Sequence, residues 1–193
     1  MEVTGPTLTL RYATPADAPA LLALASDSEV TRFFSWGPYR TVEEPLAYIE
    51  GLAARRERGE QLDLLIVHRE HGPIGVTGLS ELSRRDRRAV VGTWLGRAHW
   101  GTGANAEAKA LVAHLAFEVL GLERLGAYSS PENLRSQAAL ERLGYVREGR
   151  LRAFHRHGDR VHDVLVFSVL KVEYQPSIPV AVKGAPPAPF VLR

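Results

Sequence analysis

The first sixty residues contain one strand-like pattern and two helix-like patterns. Residues 7–12 place apolar side chains at alternate positions, as a half-buried strand does. Residues 14–17, Thr-Pro-Ala-Asp, supply a capping residue, a proline in the first turn and an acid, which is the order that starts a helix. Residues 41–59 begin with a capping-box pattern, continue with apolar residues at helical spacing and end at a glycine. The N-terminal part therefore predicts a strand followed by two helices.

The rest of the pattern adds six strands and two helices. Short apolar runs bounded by turn residues predict strands at 62–67, 74–82, 88–95, 124–129, 145–155 and 160–170. Apolar residues spaced by three and four predict a helix that begins at Ala104 and ends near Gly121, and another helix follows Pro131. The sequence thus predicts a mixed α/β fold: a mostly antiparallel, twisted sheet of about seven strands, flanked by helices.

Length and proline content divide the chain into one domain and a tail. A chain of 193 residues suits a single core, which we assign to residues 1–174. Residues 175–193 are rich in proline, which predicts no regular structure, yet they also carry several large apolar side chains. Such a tail is expected to dock on its own domain or on a partner, and a homodimer is one arrangement that would use it.

Composition removes several classes of function. The chain has no cysteine, which excludes disulfide scaffolds, thiolate metal sites and thiol nucleophiles. The formal net charge is +2, and the arginine cluster at 84–88 is interpreted as a solvated loop, so no nucleic-acid partner is expected. No stretch approaches the roughly 20 apolar residues of a membrane span, and the start lacks the pattern of a signal peptide. We therefore expect a cytoplasmic protein without a membrane partner.

A pair of glycines before the third helix is the first sign of a binding site. Trp100-Gly101-Thr102-Gly103 joins a predicted strand to the helix that begins at Ala104. The start of a helix offers unpaired backbone N–H groups and the positive end of the helix dipole, and glycine lets an anion approach them. Glycine pairs at such junctions also occur in simple turns, so this pattern alone leaves both interpretations open.

Further motifs along the chain fall in a familiar order. They are Val91-Gly92-Thr93-Trp94-Leu95, Trp100-Gly101-Thr102-Gly103, Glu107-Ala108, Pro131-Glu132-Asn133-Leu134-Arg135-Ser136, Leu140-Glu141-Arg142-Leu143-Gly144-Tyr145, Glu148-Gly149 and Asp163. Over about residues 7–174 the chain resembles the GNAT superfamily of acyl-CoA-dependent N-acetyltransferases, and within it the RimJ/RimL-like branch, named for enzymes that acetylate N-termini of ribosomal proteins. The resemblance implies the GNAT fold and direct transfer of acetyl from acetyl-CoA to a primary amine in a ternary complex, without a metal.

The resemblance also implies where acetyl-CoA binds. Its pyrophosphate would lie against the backbone amides of Gly101, Thr102, Gly103, Ala104, Asn105 and Ala106, and Trp100, at the first position of the family's motif, would also contact the donor. Asn105 stands where the family has glycine or alanine, so it either crowds the phosphates or contributes its amide to them. Asn133 would hydrogen-bond the pantetheine arm, and Ser136 would protonate the departing CoA thiolate. Solvent and then Tyr145, which better suits the core, are the alternative acids. When the family resemblance is set aside, the sequence predicts that Asn133 is a helix cap and that Ser136 is an incidental small residue.

The residue that takes the proton from the amine departs from the family pattern. Many relatives carry a glutamate two residues before the glycine of the 88–95 strand, where this chain has Val90, which cannot accept a proton. His155 falls where ribosomal stalk-protein relatives have a glutamate, and imidazole titrates near neutral pH. His155 is therefore the first candidate base, and Glu81, His99 and water are the alternatives.

The acceptor is the partner that the sequence determines least. The resemblance places it on the opposite side of the sheet, over the aromatic segment between the first two helices. The expected contacts there are Phe33, Phe34, Trp36, Tyr39 and Arg40, although Phe33 and Phe34 suit a hydrophobic plug between the helices equally well. A protein N-terminal amine is the first candidate acceptor, and the amine of an amino acid, polyamine or antibiotic is the second. The two departures from the family pattern also favour a third interpretation, an acyl-CoA-binding module that has lost its activity.

Overall fold

The structure, a computed structural model, describes residues 1–192, which form a nine-stranded sheet in the order β7-β8-β6-β5-β4-β3-β2-β1-β9. The strands are β1 (Glu2–Thr4), β2 (Leu8–Arg11), β3 (Gln61–His68), β4 (Gly72–Ser83), β5 (Arg88–Leu95), β6 (Arg124–Ser129), β7 (Val146–His157), β8 (Arg160–Leu170) and β9 (Ala181–Lys183). The helices are α1 (Ala18–Ala25), α2 (Ser28–Thr31), α3 (Glu43–Glu57), α4 (Ala104–His114) and α5 (Leu134–Arg142). The predicted mixed α/β class is confirmed. No helix in residues 1–192 has the length and apolar character needed to cross a membrane.

The described part of the sheet has nine strands rather than about seven because two short strands extend one edge. β1 pairs with β2 on one side and with β9 on the other, so segments from both ends of the chain meet there. Three residues are too few to show a period of two, which is why neither strand is visible in the sequence pattern. The single turn of α2 escapes prediction for the same reason.

The proline-rich C-terminal segment packs on the domain. Phe190 is fully buried, and the side chains of Arg84 and Arg87 donate hydrogen bonds to backbone carbonyls of this segment. The expectation that its prolines prevent regular structure is wrong for β9, because these three residues lie between prolines and form antiparallel pairs with β1.

The strands β5 and β6 run side by side over only three residue pairs. They form a parallel ladder from Arg88 and Arg124 to Val90 and Gly126. Beyond these residues β5 stays paired with β4, and β6 with β8, so the two strands separate. A gap therefore opens in the middle of an otherwise continuous sheet.

Different helices cover the two faces of the sheet. Helices α1 and α3 pack against Leu65 and Val76 on one face, called here the α3 face. Helix α4 packs on the opposite face, the α4 face. Because side chains alternate along each strand, Asp63, Gly78 and Gly92, which pair in register across β3, β4 and β5, lie on the α3 face.

Candidate active site

A cavity of about 580 Å³ occupies the gap between β5 and β6. Its walls come from these two strands, from α5, from the first turns of α4 and from the segment that follows α2. Among the residues predicted to bind the donor, those on the wall are Trp100, Gly101, Gly103, Asn105, Ala106, Asn133 and Ser136. Thr102 and Ala104 are not on it: the Thr102 hydroxyl donates to the carbonyl of His99 at 3.0 Å, and Ala104 is buried in the core.

Backbone geometry explains the two glycines before α4. Gly101 and Gly103 have φ angles of +77° and +93°, in the left-handed region that side chains disfavour. A Cβ on either residue would meet nothing within 4 Å, so the space beside this turn is open. The first amides of α4 have no acceptor within the helix. The Ala104 N–H donates to the Thr102 hydroxyl at 3.4 Å, and the next N–H groups, of Asn105 and Ala106, suit an anion.

Glu107 fixes the start of α4 against the sheet. Its carboxylate accepts hydrogen bonds from the Thr7 N–H at 2.7 Å, the Thr7 hydroxyl at 2.5 Å and the Leu8 N–H at 2.8 Å. Charge-assisted hydrogen bonds of this kind are stronger than neutral ones, so three of them tie α4 firmly to the beginning of β2. This motif residue is therefore a positioning residue for the glycine-led turn.

Lys109 is a buried cation on the cavity wall that the sequence analysis did not single out. It is 8% exposed, and its Nζ donates to the Thr93 hydroxyl at 3.3 Å. Burial lowers the pKa of Lys109 to about 8. It lies four residues after Asn105, hence on the same side of α4. The available signal was that one of only three lysines in the chain directly follows the Glu107-Ala108 motif.

Two arginines of α5 bring further positive charge to the cavity. Both Arg135 and Arg142 line it. The guanidinium of Arg135 stacks 3.3 Å from the centre of the Trp100 ring, and the Trp100 Nε1 donates to the carbonyl of Leu95 at 2.9 Å. Burial lowers the pKa of Arg135, but a guanidinium remains charged in proteins. Together with Lys109 and the start of α4, these residues fit a polyanionic ligand.

Asn133 and Ser136 lie on the same wall of the cavity. Asn133 is the N-cap of α5, and its Oδ1 accepts the N–H of Ser136 at 3.1 Å. The cap that was the alternative interpretation of Asn133 is therefore present. Its amide nitrogen makes no hydrogen bond within residues 1–192 and is available to a ligand in the cavity.

The aromatic segment between α2 and α3 contributes to both sides of the gap. Phe33 and Phe34 line the cavity itself. Trp36 does not line the cavity but packs between 5.3 and 5.5 Å from three other rings, those of Phe34, Tyr39 and Trp94. Of the five predicted acceptor contacts, the structure thus places Phe33 and Phe34 on the cavity wall and brings Trp36 and Tyr39 together beside β5. Arg40 is exposed and contacts α3 through its backbone N–H.

Two of the candidate bases meet at Tyr128, a residue of β6 that lines the cavity. The ring of His155 lies 5.7 Å from the Tyr128 ring, and the Tyr128 hydroxyl donates to the Glu81 carboxylate at 3.1 Å. Neither His155 nor Glu81 is itself on the cavity wall. Both are one side chain away from it.

His99 belongs to a different cluster. Its ring lies 5.7 Å from His71 at the turn between β3 and β4, and burial together with the neighbouring histidines lowers the pKa of His99. His71 also forms, with His68 and Glu70, a group whose ligand atoms lie within 4.8 Å of one another. None of these residues lines the cavity, so the structure separates His99 from the other candidate bases.

A carboxylate on the α3 face also escaped prediction. Asp63, in β3, accepts hydrogen bonds from the Tyr48 hydroxyl at 2.5 Å and from the Gln61 Nε2 at 2.7 Å. Burial raises the pKa of Asp63, although both hydrogen bonds favour its ionised form. Burial and the nearby carboxylate also raise the pKa of Tyr48. An acid between two leucines looks like ordinary strand alternation, which explains why the sequence offers no signal here.

Known proteins resemble this chain in sequence and fold. The family described as Acetyltransferase (GNAT) domain matches residues 7–146. The uncharacterised N-acetyltransferase p20 of Bacillus licheniformis is 34% identical over 168 residues, which span 86% of this chain and 94% of p20. A solved structure assigned as an acetyltransferase of T. thermophilus is 36% identical, with a TM-score of 0.78 over 89% of this chain and 90% of that one. RimL, solved in complex with coenzyme A, shares the fold at 24% identity, with a TM-score of 0.76 over 88% of this chain and 98% of RimL.

The cavity fits acetyl-CoA in shape and charge. The amides that follow Gly101 and Gly103 suit a pyrophosphate, and the cations Lys109, Arg135 and Arg142 suit a ligand with several phosphates. The unpaired edges of β5 and β6 offer hydrogen bonds to the amides of a pantetheine arm. With these features and the matches above, the chain belongs to the GNAT acetyltransferase family and is an acetyl-CoA-dependent N-acetyltransferase.

Proposed function

We propose that the acceptor is the N-terminal α-amine of a protein or peptide. The observation that carries this proposal is Val90, which is 9% exposed and lies where β5 begins to leave β6. A hydrocarbon side chain accepts no proton, so β5 supplies no base at the start of the gap. An α-amine has a pKa of about 7.7–8.0, against about 10.4 for a lysine amine, so more of it is neutral near pH 7 and it depends less on a base.

The open α3 face also supports a chain end as the acceptor. Gly92 is exposed, and a Cβ built on it would meet nothing within 4 Å. Trp36 and Tyr39 stand beside this opening and are proposed to contact the first residues of the acceptor. RimL is named for acetylation of a protein α-amine, whereas p20 is named without a substrate.

The proposed reaction uses both sides of the gap. The neutral amine attacks the thioester carbonyl from the α3 face, the new C–N bond forms, and the C–S bond breaks. The proton that leaves the nitrogen passes through water to His155, which lies behind Tyr128 on the cavity wall, and Ser136 protonates the departing CoA thiolate. Asn133 holds the pantetheine arm on the same wall as Ser136.

A peptide assay tests the acceptor directly. Peptides of one sequence that differ only in the first residue are incubated with acetyl-CoA and the protein, and released CoA thiol and peptide mass are measured. Each peptide is paired with a copy whose N-terminus is formylated and with a copy that carries an internal lysine. We expect free N-termini to be acetylated and formylated peptides to remain unmodified. Lysine side chains should be acetylated only slightly.

Two other results would replace the proposal. Faster turnover of polyamines, free amino acids or aminoglycosides than of every peptide would make the protein a small-molecule acetyltransferase. Binding of CoA by calorimetry without turnover of any amine would make it an acyl-CoA-binding module.

A further inference from the structure

Three residues on the α3 face line up across the middle of the sheet. Asp63 of β3 pairs with Gly78 of β4, and Gly78 pairs with Gly92 of β5. Two of the three positions have no side chain, so no other side chain stands in this row between Asp63 and β5; the row is called the channel below. Gly92, at the end of the row, also lines the cavity in the gap. The channel therefore connects a carboxylate with the site that fits acetyl-CoA.

The carboxylate of Asp63 reaches into this channel. A Cβ on Gly78 would lie 2.1 Å from the Asp63 Oδ1, so this oxygen occupies the space of the missing side chain. A Cβ on Gly92 would meet nothing, so the space beyond is open. Facing Cβ positions on antiparallel neighbours are about 5 Å apart. An ammonium group that donates to the Asp63 Oδ1 over about 2.8 Å would therefore lie between that oxygen and the open space beside Gly92.

The partners of Asp63 hold its side chain without neutralising it. The Oδ2 accepts both hydrogen bonds, from Tyr48 and Gln61, and the Oδ1 makes none within residues 1–192. Arg55 favours the ionised carboxylate from a distance, but its guanidinium is hydrogen-bonded to the Gln61 Oε1 at 3.3 Å. A partly buried carboxylate is thus left with one free oxygen.

Aromatic rings border the channel on the side of the α2–α3 segment. Trp94 follows Gly92 on the same face, Trp36 packs on Trp94, and Tyr39 packs on Trp36. Burial raises the pKa of Tyr39, and so does the negative charge of Glu44 and Asp63. A carboxylate beside aromatic faces is a favourable environment for an ammonium group.

We infer that Asp63 binds the ammonium group of the acceptor in this channel and takes its first proton. The inference rests on acetyl transfer to a primary amine, as in the proposed function, but it holds for any amine of that class. In the first step R–NH₃⁺ gives a proton to the Asp63 carboxylate, which leaves R–NH₂ and a carboxylic acid. The amine then attacks the thioester, its second proton leaves the nitrogen, and the CoA thiolate is protonated. One proton is released to solvent overall.

Binding of a simple amine tests this site without turnover. The probe is glycinamide, which has an α-amine, and its control is glycolamide, in which a neutral hydroxyl replaces the amine. Protein saturated with free CoA is titrated while the carboxyl carbon signals of ¹³C-labelled aspartates are followed by NMR. We expect glycinamide to shift the Asp63 signal, and glycolamide to leave it unchanged.

Variants assign the binding to the carboxylate. Asp63→Asn keeps the shape and removes the charge, and we expect it to weaken glycinamide binding by about tenfold to a hundredfold. Asp86→Asn, at an exposed aspartate in the loop between β4 and β5, is the matched control and should bind as the wild type does. Equal glycinamide affinity of Asp63→Asn and wild type, or no shift of the Asp63 signal, would overturn the inference.

The pH dependence gives a second readout. The groups that face Asp63 are Tyr48 and Arg55 of α3, Gln61 of β3 and Tyr39 of the preceding segment. Glycinamide affinity should fall as the pH drops through the pKa of Asp63, because the acid form binds no ammonium. Tyr48→Phe removes a hydrogen bond that lowers this pKa. The fall in glycinamide affinity at low pH, called the acid limb, should therefore move to higher pH. An unmoved limb would contradict the inference, even where Asp63→Asn does not fold.

The same titration separates this inference from the proposed function. If glycinamide binds at Asp63 but no peptide is acetylated, the ammonium site at Asp63 is supported, and the proposal that the acceptor is a protein N-terminus is wrong. If wild type and Asp63→Asn acetylate peptides equally, the proposal of an N-terminal acceptor is supported, and the inference that Asp63 binds and deprotonates the amine is wrong.

Discussion

The two sides of the gap between β5 and β6 are built in different ways. The donor side consists of two continuous segments, 100–109 and 133–143, and it presents backbone amides and the cations Lys109, Arg135 and Arg142. The proposed acceptor side, on the α3 face, is assembled from single side chains of β3, β5, α3 and the α2–α3 segment. The donor is a polyanion of fixed structure, so a local backbone motif can recognise it, whereas the proposed contacts of the acceptor are side chains that only the fold brings together.

The largest expected effect concerns the buried charge on the donor side. Burial lowers the pKa of Lys109 from 10.5 to about 8, a shift that corresponds to a penalty of about 3 kcal/mol on the charged form. Between these values the unfolded chain binds more protons, so stability rises with pH across this window, and below about pH 8 the penalty is fully present. Lys109→Met should therefore stabilise the ligand-free protein by up to about 3 kcal/mol at pH 7, measured by urea unfolding.

The control for this substitution is Lys183→Met, at an exposed residue of β9. It should leave both the stability and its pH dependence unchanged. We expect the phosphate oxygens of bound CoA to compensate the charge of Lys109, so the stability gained by Lys109→Met should be smaller with CoA than without it. If Lys109→Met raises the free energy of unfolding equally with and without CoA, Lys109 does not interact with the bound donor. The positive charge of Lys109 would then not distinguish the donor side from the acceptor side.

The next effect concerns the donor side alone. Gly103→Val places a branched side chain at φ +93°, in the conformation that costs such a residue most. We expect CoA to bind about a hundredfold more weakly by calorimetry, because a strain of about 1–3 kcal/mol is added to a blocked approach to the amides of α4. Gly158→Val, at a positive φ in the turn between β7 and β8, is the matched control. Equal losses in both variants would point to instability rather than to a lost phosphate site.

A smaller effect is expected where the donor side meets the chemistry. Ser136→Ala should lower kcat by about thirtyfold and leave the Kd for CoA nearly unchanged, since the hydroxyl is proposed to act only on the leaving thiolate. Ser130→Ala, which alters another serine of the cavity wall, is the control. An unchanged kcat in Ser136→Ala would remove this residue from the mechanism.

The donor side was largely predictable from the sequence, for a physical reason. Gly101 and Gly103 are required by local φ values, and Asn133 by the cap of the next helix, so the constraints lie within a few residues of each other. Lys109 and Arg135 were not assigned, because their roles depend on what packs around them. The strands β1 and β9 were missed because pairing at the edge of the sheet, rather than any period in three residues, defines them.

The acceptor side was much less predictable, because it has no local motif. Asp63 and Tyr48 are fifteen residues apart and meet only when α3 packs on β3. Gly78 and Gly92 form a channel only in the register of the folded sheet. The segment 33–39 was recognised by its aromatic content, but the sequence could not show that its first two rings line the cavity while Trp36 lies outside it.

That division within one segment gives the smallest and most selective prediction. Phe34 lines the donor cavity and Trp36 stands on the acceptor side, although the two rings stack at 5.3 Å. Trp36→Leu should raise the KM of the acceptor severalfold and leave the Kd for CoA unchanged, because it removes a ring that borders the channel and none that lines the cavity. Phe34→Leu should do the reverse, with weaker CoA binding and a smaller change in the KM of the acceptor. Calorimetry with CoA and steady-state kinetics with the best peptide separate the two outcomes. If both variants change both quantities equally, the stacked rings act as one unit, and the two sides of the gap are coupled through this segment rather than built independently.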